Sequence, residues 1–140
     1  VPTVWTNGCF DLLHAGHVTF LERAAQMGTL TVFVNSDISI RDLKGAQRPI
    51  VPLPQRLRML KALRCVAHVH VFQERTPVAA WGRMSTVPDF YVKDEECDIT
   101  HSEEGEWMLR NNVAITLLRR LPGVSTTEII SRIRADHGGT

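Results

Sequence analysis

Apolar positions along the chain follow two rhythms in alternation. Short apolar clusters rich in β-branched and aromatic residues occur at Val4-Trp5-Thr6, Leu30 to Val34, Val69 to Phe72, Asp89 to Val92 and Val113 to Leu118, and each predicts a strand. Leu30 to Val34 is unbroken rather than alternating, as expected of a strand covered on both faces. Between the clusters the spacing turns helical. Val18, Leu21 and Ala25 predict about three helical turns, with Gly28 as the expected terminator. Leu57, Leu60 and Leu63 predict a helix over Gln55–Arg64, and Pro77 opens a short one reaching Met84. Glu103–Arg110 and Ser125–Arg134 predict two more, the last with Ile129, Ile130 and Ile133 on one face. Asn35–Pro54 is polar and proline-rich and predicts a long loop, a type of segment that is often functional. Asp94–His101 predicts an acidic loop, and Asp136–Thr140 a frayed end or the start of a linker.

Strand and helix therefore alternate five times. That order implies parallel strands, right-handed crossovers and helices on both faces. The fold class expected is α/β: a Rossmann-like doubly wound five-stranded parallel sheet in a three-layer α/β/α sandwich. Ligands of such sheets bind beyond the carboxyl ends of the strands, where the strand order reverses.

Composition narrows the possibilities. At 140 residues the chain has the length of one domain, over residues 1–140, compatible with a piece of a longer multidomain chain. A net charge of +1 gives no electrostatic footprint for nucleic acid or a membrane surface. The apolar runs are far shorter than the roughly 18 to 20 residues of a bilayer span. Three widely spaced cysteines, Cys9, Cys65 and Cys97, suggest a reducing, cytoplasmic setting rather than a disulfide framework. The cations are 13 Arg against 3 Lys, which makes each lysine conspicuous.

The densest chemistry is Thr6-Asn7-Gly8-Cys9-Phe10-Asp11-Leu12-Leu13-His14-Ala15-Gly16-His17, running from the first strand into the first helix. Helix N-terminal amides favour anions, and Gly8 and Gly16 let backbone approach a ligand. Two imidazoles three residues apart lie on one side of a helix start, where they can donate to phosphate oxygens. The same spacing also suits two zinc ligands, although no third follows at metal spacing, or two solvated residues. A dinucleotide site is disfavoured because GxGxxG is missing after the first strand.

His14-Ala15-Gly16-His17 resembles the signature of the His-x-Gly-His nucleotidyltransferase superfamily, which includes cytidylyltransferases, adenylyltransferases and their heptose-phosphate relatives. A second segment, Arg120-Leu121-Pro122-Gly123-Val124-Ser125-Thr126-Thr127, is similar to the Arg-x-x-Gly-[Ile/Val]-Ser-Thr-Thr motif of cytidylyltransferases. Asn35-Ser36-Asp37, Leu43-Lys44-Gly45 and Arg48-Pro49 look like the loop of heptose-phosphate adenylyltransferases, and Pro54-Gln55-Arg56 like a helix start with a nucleotide-contacting arginine. One departure stands out. Relatives carry Gly-Gly-Asp or Gly-Asp-Asp after the fourth strand, where this chain has Val92-Lys93-Asp94-Glu95-Glu96-Cys97. Lys93 keeps the adenylyltransferase pattern and Glu96 falls where an Asp would sit.

The resemblance implies transfer of a nucleoside monophosphate to a phosphate or phosphonate oxygen, with pyrophosphate leaving. It implies His14, His17, Lys44 and Arg120 as catalytic residues. Nucleotide contacts would come from Thr6, Asn7, Gly8, Cys9, Phe10, Gly16, Lys93, Glu96, Ser125, Thr126 and Thr127. Asp11 and Arg56 would serve the acceptor, with Asp11 also a ligand, through water, of Mg²⁺ brought by the nucleotide. The Ser-Thr-Thr segment points to CTP and the Lys44 loop to ATP, with CTP the stronger expectation. The whole chain is most similar to the cytidylyltransferase domains of phosphonate-antibiotic (fosfomycin) biosynthesis, whose acceptor is 2-hydroxyethylphosphonate. A heptose or polyol phosphate acceptor is the alternative, and a non-catalytic nucleotide-binding module the alternative of another class. A homo-oligomer, commonly a dimer, is the family's habit; Trp81, Met84 and Trp107 would either line such an interface or fill the core.

Overall fold

The computed structural model describes residues 1–138. Five parallel strands form one sheet in the order β3-β2-β1-β4-β5. They are β1 (Thr3–Gly8), β2 (Thr29–Asn35), β3 (Val66–Phe72), β4 (Phe90–Asp94) and β5 (Ala114–Leu118). The helices are α1 (Ala15–Ala25), α2 (Asp37–Lys44), α3 (Leu53–Ala62), α4 (Val78–Gly82), α5 (Glu103–Arg110) and α6 (Thr126–Gly138), with a 3₁₀ turn at Ile99–His101. This is the doubly wound sandwich expected from the alternation of patterns.

Neighbouring strand residues face opposite layers. Val4, Val32, Val34 and Val92 pack with Leu21, Ala24 and Leu60 of α1 and α3. Trp5, Phe33 and Tyr91 pack on the other face with Trp81 and Met108 of α4 and α5. Trp81 is fully buried, and Met84 and Trp107 pack against the same cluster, so these three residues fill the core. Among the described residues, α6 contributes nothing to either cluster.

Two expectations change. The segment after β2 is not all loop. Ser36 caps α2 by accepting from the Ser39 amide (3.2 Å), Ile40 is fully buried, and Gly45 (φ 98°) ends the helix. The helix ending at Ala25 also stops without using Gly28 as its cap. A Cβ on Gly28 would lie 2.3 Å from the Pro2 carbonyl oxygen, which accepts the Thr29 amide at 2.9 Å, so glycine is required there by close approach. At the other end, α6 carries Asp136–Gly138 within the helix, while Gly139 and Thr140 of the expected tail lie outside the described residues.

The chain passes from β1 out to β2 and β3, then returns to β4 on the other side of β1, so the strand order reverses at β1. The β1–β4 ladder spans only Val4–Phe90 and Trp5–Tyr91. Beyond it side chains bridge the strands: Thr6 donates to the Val92 carbonyl (2.6 Å), the Tyr91 hydroxyl to Asn7 Oδ1, and Lys93 Nζ to the Asn7 carbonyl (2.9 Å). The backbone ladder thus yields to side chains where the ligand crevice of this fold belongs.

Candidate active site

A cavity of about 490 Å³ opens at this point. The two motifs that lie a hundred residues apart in sequence meet in it. His14, Gly16 and His17 line it from the start of α1, and Ser125, Thr126 and Thr127 from the start of α6. The Thr126 hydroxyl donates to the Asp11 carbonyl at 2.8 Å and fastens the two together. Gly123, at φ 76°, makes the turn that leads into α6.

The imidazoles are held by the helix they begin. His14 is the N-cap of α1: its Nδ1 accepts the Gly16 amide (3.0 Å), while His17 Nδ1 accepts the His14 amide (3.2 Å). The rings stack with centroids 3.8 Å apart. With each Nδ1 accepting from backbone, the proton of each neutral ring must sit on Nε2, leaving one N–H donor apiece. Burial and the nearby Arg120 lower the His14 pKa. Burial, His14 and Lys44 bring His17 down to about 4. Both rings are therefore neutral donors at pH 7. Gly16 is what permits this geometry, because a Cβ there would lie 2.8 Å from His14 Cε1.

The remaining lining is cationic on balance. Lys44 reaches the cavity from the end of α2, Lys93 from β4, and Arg119 and Arg120 from the loop after β5, against the carboxylates of Asp94 and Glu96. Arg120 is engaged by both: Nε lies 3.3 Å from Asp94 and Nη1 2.5 Å from Glu96. Glu96, expected at the nucleotide, is here an arginine partner. α1 has no acidic residue in its first turn, leaving its positive end open to an anion.

Several residues expected at the ligand do other work. Asn7, Gly8 and Phe10 line the cavity, but the Thr6 hydroxyl is buried against β4. Gly8 is shaped by Phe10, whose ring would lie 3.0 Å from a Cβ there. Cys9 lies outside the lining; its carbonyl accepts from Arg56, and burial pushes its thiol pKa up. The expected acceptor role of Asp11 and Arg56 does not fit their surroundings. Asp11 is buried, and its two oxygens accept the Ile50 and Val51 amides at 2.8 Å each. Arg56, 1% exposed, donates to the carbonyls of Val51, Cys9 and Asn35 and pairs with Asp37 at 2.7 Å. Together they clamp the loop after β1 to the segment that follows Lys44. A buried arginine shortly after a proline-rich loop signals such a clamp only once its partners are known.

Magnesium finds no protein cage here. Among the described residues no group of three or more His, Cys, Asp or Glu is arranged to hold a metal ion. Asp11, the residue expected to reach Mg²⁺ through water, is buried with each oxygen accepting a backbone amide, an arrangement that suits a loop anchor better than a metal ligand.

The chain is thus an α/β domain whose parallel sheet reverses order at a crevice lined by two helix starts, two neutral imidazoles and several cations. Residues 5–132 match the family model described as Cytidylyltransferase-like, and the chain belongs to that family, within the nucleotidyltransferase superfamily. Among curated proteins it is similar to the bifunctional protein HldE of Halorhodospira halophila (43% identity over 133 residues, 94% of this chain and 28% of the relative). It is likewise similar to the bifunctional protein HldE of Pectobacterium atrosepticum (44%, covering 94% and 27%). The chain thus spans little more than a quarter of these relatives. These relatives carry the name HldE, where the expectation named a phosphonate-pathway enzyme. A crystal structure of a lipopolysaccharide core biosynthesis protein from Thermoplasma volcanium shares the fold, with TM-score 0.66 at 23% identity over 86% of this chain and 96% of that one. No helix among the described residues is long and apolar enough to cross a membrane.

Proposed function

We propose that the domain transfers a nucleoside monophosphate from a triphosphate to the phosphate of a heptose or similar polyol phosphate and releases pyrophosphate. ATP is the preferred donor. The observation that carries the reaction class is the pair of Nε2–H donors fixed at the start of α1 opposite the free amides of α6, in one cavity. ATP replaces the CTP expected from the Ser-Thr-Thr segment, and the sugar phosphate replaces the phosphonate expected from the resemblance of the whole chain. The Asn35–Pro49 segment and Lys93 resemble the adenylyltransferase pattern, and the relatives matched over 94% of the chain are HldE proteins.

The acceptor phosphate is already ionised at neutral pH and attacks the α-phosphorus without a general base. The barrier is charge repulsion and alignment, which fixed donors and cations lower. His14 and His17 donate through Nε2–H to non-bridging oxygens as charge builds at phosphorus. A His17 pKa of about 4 makes it a hydrogen-bond donor rather than an acid. Lys44 and Arg120 neutralise the phosphate chain. Thr126 commits its hydroxyl to Asp11, so it serves the leaving pyrophosphate through its backbone amide, together with that of Thr127. Ser125 Oγ accepts the Glu128 amide (3.0 Å), and its own O–H is left to donate. Magnesium enters as part of the nucleotide substrate.

The test is a pyrophosphate-release screen crossing ATP and CTP with glycerol phosphate, heptose phosphate and 2-hydroxyethylphosphonate. ATP with heptose phosphate is expected to give the highest kcat/KM. Turnover only with CTP and the phosphonate would reverse the assignment, and no release with any pair would leave a nucleotide-binding module.

A further inference from the structure

We propose that Asp94 and Glu96 are positioning residues that act as a counter-anion lock on Arg120, which a triphosphate opens and smaller anions open poorly. This rests on the cavity being the triphosphate site, and it gives a role to the segment where the chain departs from its relatives' glycine-rich pattern.

Both partners are fixed by backbone. Asp94 ends β4 and Leu118 ends β5, and the two are register partners. Past them the Glu95 amide donates to the Leu118 carbonyl at 2.8 Å, and the Glu96 amide to Asp94 Oδ1 at 2.7 Å. One oxygen of Asp94 thereby shapes the turn while the other lies 3.3 Å from Arg120 Nε. Glu96 accepts from Nη1. With Nη1 donating to Glu96 and Nε paired with Asp94, a phosphate that takes either position must displace a carboxylate, and one that binds through Nη2 alone meets both negative charges at short range.

Exposure sets the strength. Arg120 and Glu96 side chains are 49% and 61% exposed, and water weakens each pair. Two such pairs would oppose an incoming anion by about five- to tenfold. The same factor leaves a triphosphate, held also by both helix N-termini, Lys44 and the imidazoles, firmly bound, while pyrophosphate, which makes fewer of these contacts, is left weakly held and meets the carboxylates as they close again.

The lock is read from pyrophosphate affinity, measured by calorimetry without metal, for the wild type, D94N/E96Q, R120A and the triple variant. The D94N change keeps a side-chain oxygen to accept the Glu96 amide, and thermal unfolding checks that each variant is folded. D94N/E96Q is expected to bind pyrophosphate five- to tenfold more tightly, a gain that structural damage would not produce. In the R120A background the same two changes should give less than about twofold. Unchanged, weaker or undetectable binding by D94N/E96Q overturns the lock. So does an equal gain without Arg120, which would mean that the carboxylates act only as a general repulsive field. Nucleotidyl transfer is followed separately, so its absence alongside an intact pyrophosphate cycle refutes the proposed reaction and not the lock.

Discussion

Replacing Gly16 by alanine separates the stability of the domain from its chemistry. The new Cβ would sit 2.8 Å from His14 Cε1 and 3.0 Å from Nδ1, closer than real contacts allow. The obstacle is the movable end of a side chain, so the imidazole swings away and the backbone stays. Leaving the Gly16 amide forfeits an N-cap bond worth about 1 kcal/mol. Alanine in place of glycine in a helix returns up to about 1 kcal/mol. The two nearly cancel, and the thermal midpoint should move by no more than about 4 °C. The rate has no such compensation. A donor displaced by about an ångström costs on the order of 10²-fold, or about 2.7 kcal/mol of transition-state stabilisation. Steady-state pyrophosphate release gives kcat, and long-range ¹H–¹⁵N spectra of the imidazoles report whether His14 Nδ1 still accepts a hydrogen bond. A variant with wild-type turnover and a displaced His14 ring would refute the role given to that ring.

Three other outcomes follow from the same geometry. His17→Ala should keep nucleotide affinity within about tenfold while single-turnover chemistry falls by about 10²-fold or more. Histidine NMR titration should show His17 neutral until the pH approaches 4. Because its folded pKa lies below the ordinary 6.5, the unfolded chain binds more protons between those values; stability from this group is complete above pH 6.5 and lost as pH falls toward 4. A ring titrating near 6.5 in the free protein would contradict the buried, Nδ1-accepting arrangement. Arg56→Ala should destabilise the domain by about 3 kcal/mol or more in denaturant unfolding, since it strands three carbonyls and the Asp37 carboxylate; a loss below about 1 kcal/mol would show that the clamp is not structural.

The sheet and the meeting of the two motifs were legible because both rest on local rules. Continuous apolar strands need cover on both faces, and a strand-to-helix turn at the order reversal must face the crevice. What escaped was long-range or compensatory. The capped helix α2 hid behind a polar surface: Ser36 before Asp37, with Gly45 at the end, was a readable cap pair, but Ile40 is the single fully buried apolar side chain that shows its inward face. The resemblance assigns Asp11 and Arg56 to the acceptor, and a charged residue beside a crevice can serve a substrate or an internal clamp equally well. Only their contacts, about forty residues apart in sequence, distinguish the two. The occupation of Arg120 by Asp94 and Glu96 depends on a β4–β5 register that one-dimensional spacing does not encode.

The last helix adds nothing, among the described residues, to either apolar cluster: Ile129 and Ile130 are only half-buried, Ile133 is exposed, and side-chain hydrogen bonds to the rest of the domain join Thr126 to Asp11, Arg48 to Thr127 and Arg134 to Gln47. Such moorings are cheap to release. A polyphosphate spanning the cavity would then be a structural cement as well as a reactant, joining the C-terminal helix to the remainder of the domain for as long as it stays. Backbone amides of α6 should exchange with deuterium quickly in the empty protein and slow markedly when pyrophosphate is added, with little change in β1 or β2. Turnover would thus carry its own cycle of tightening and loosening, with the departing product releasing the helix that held it.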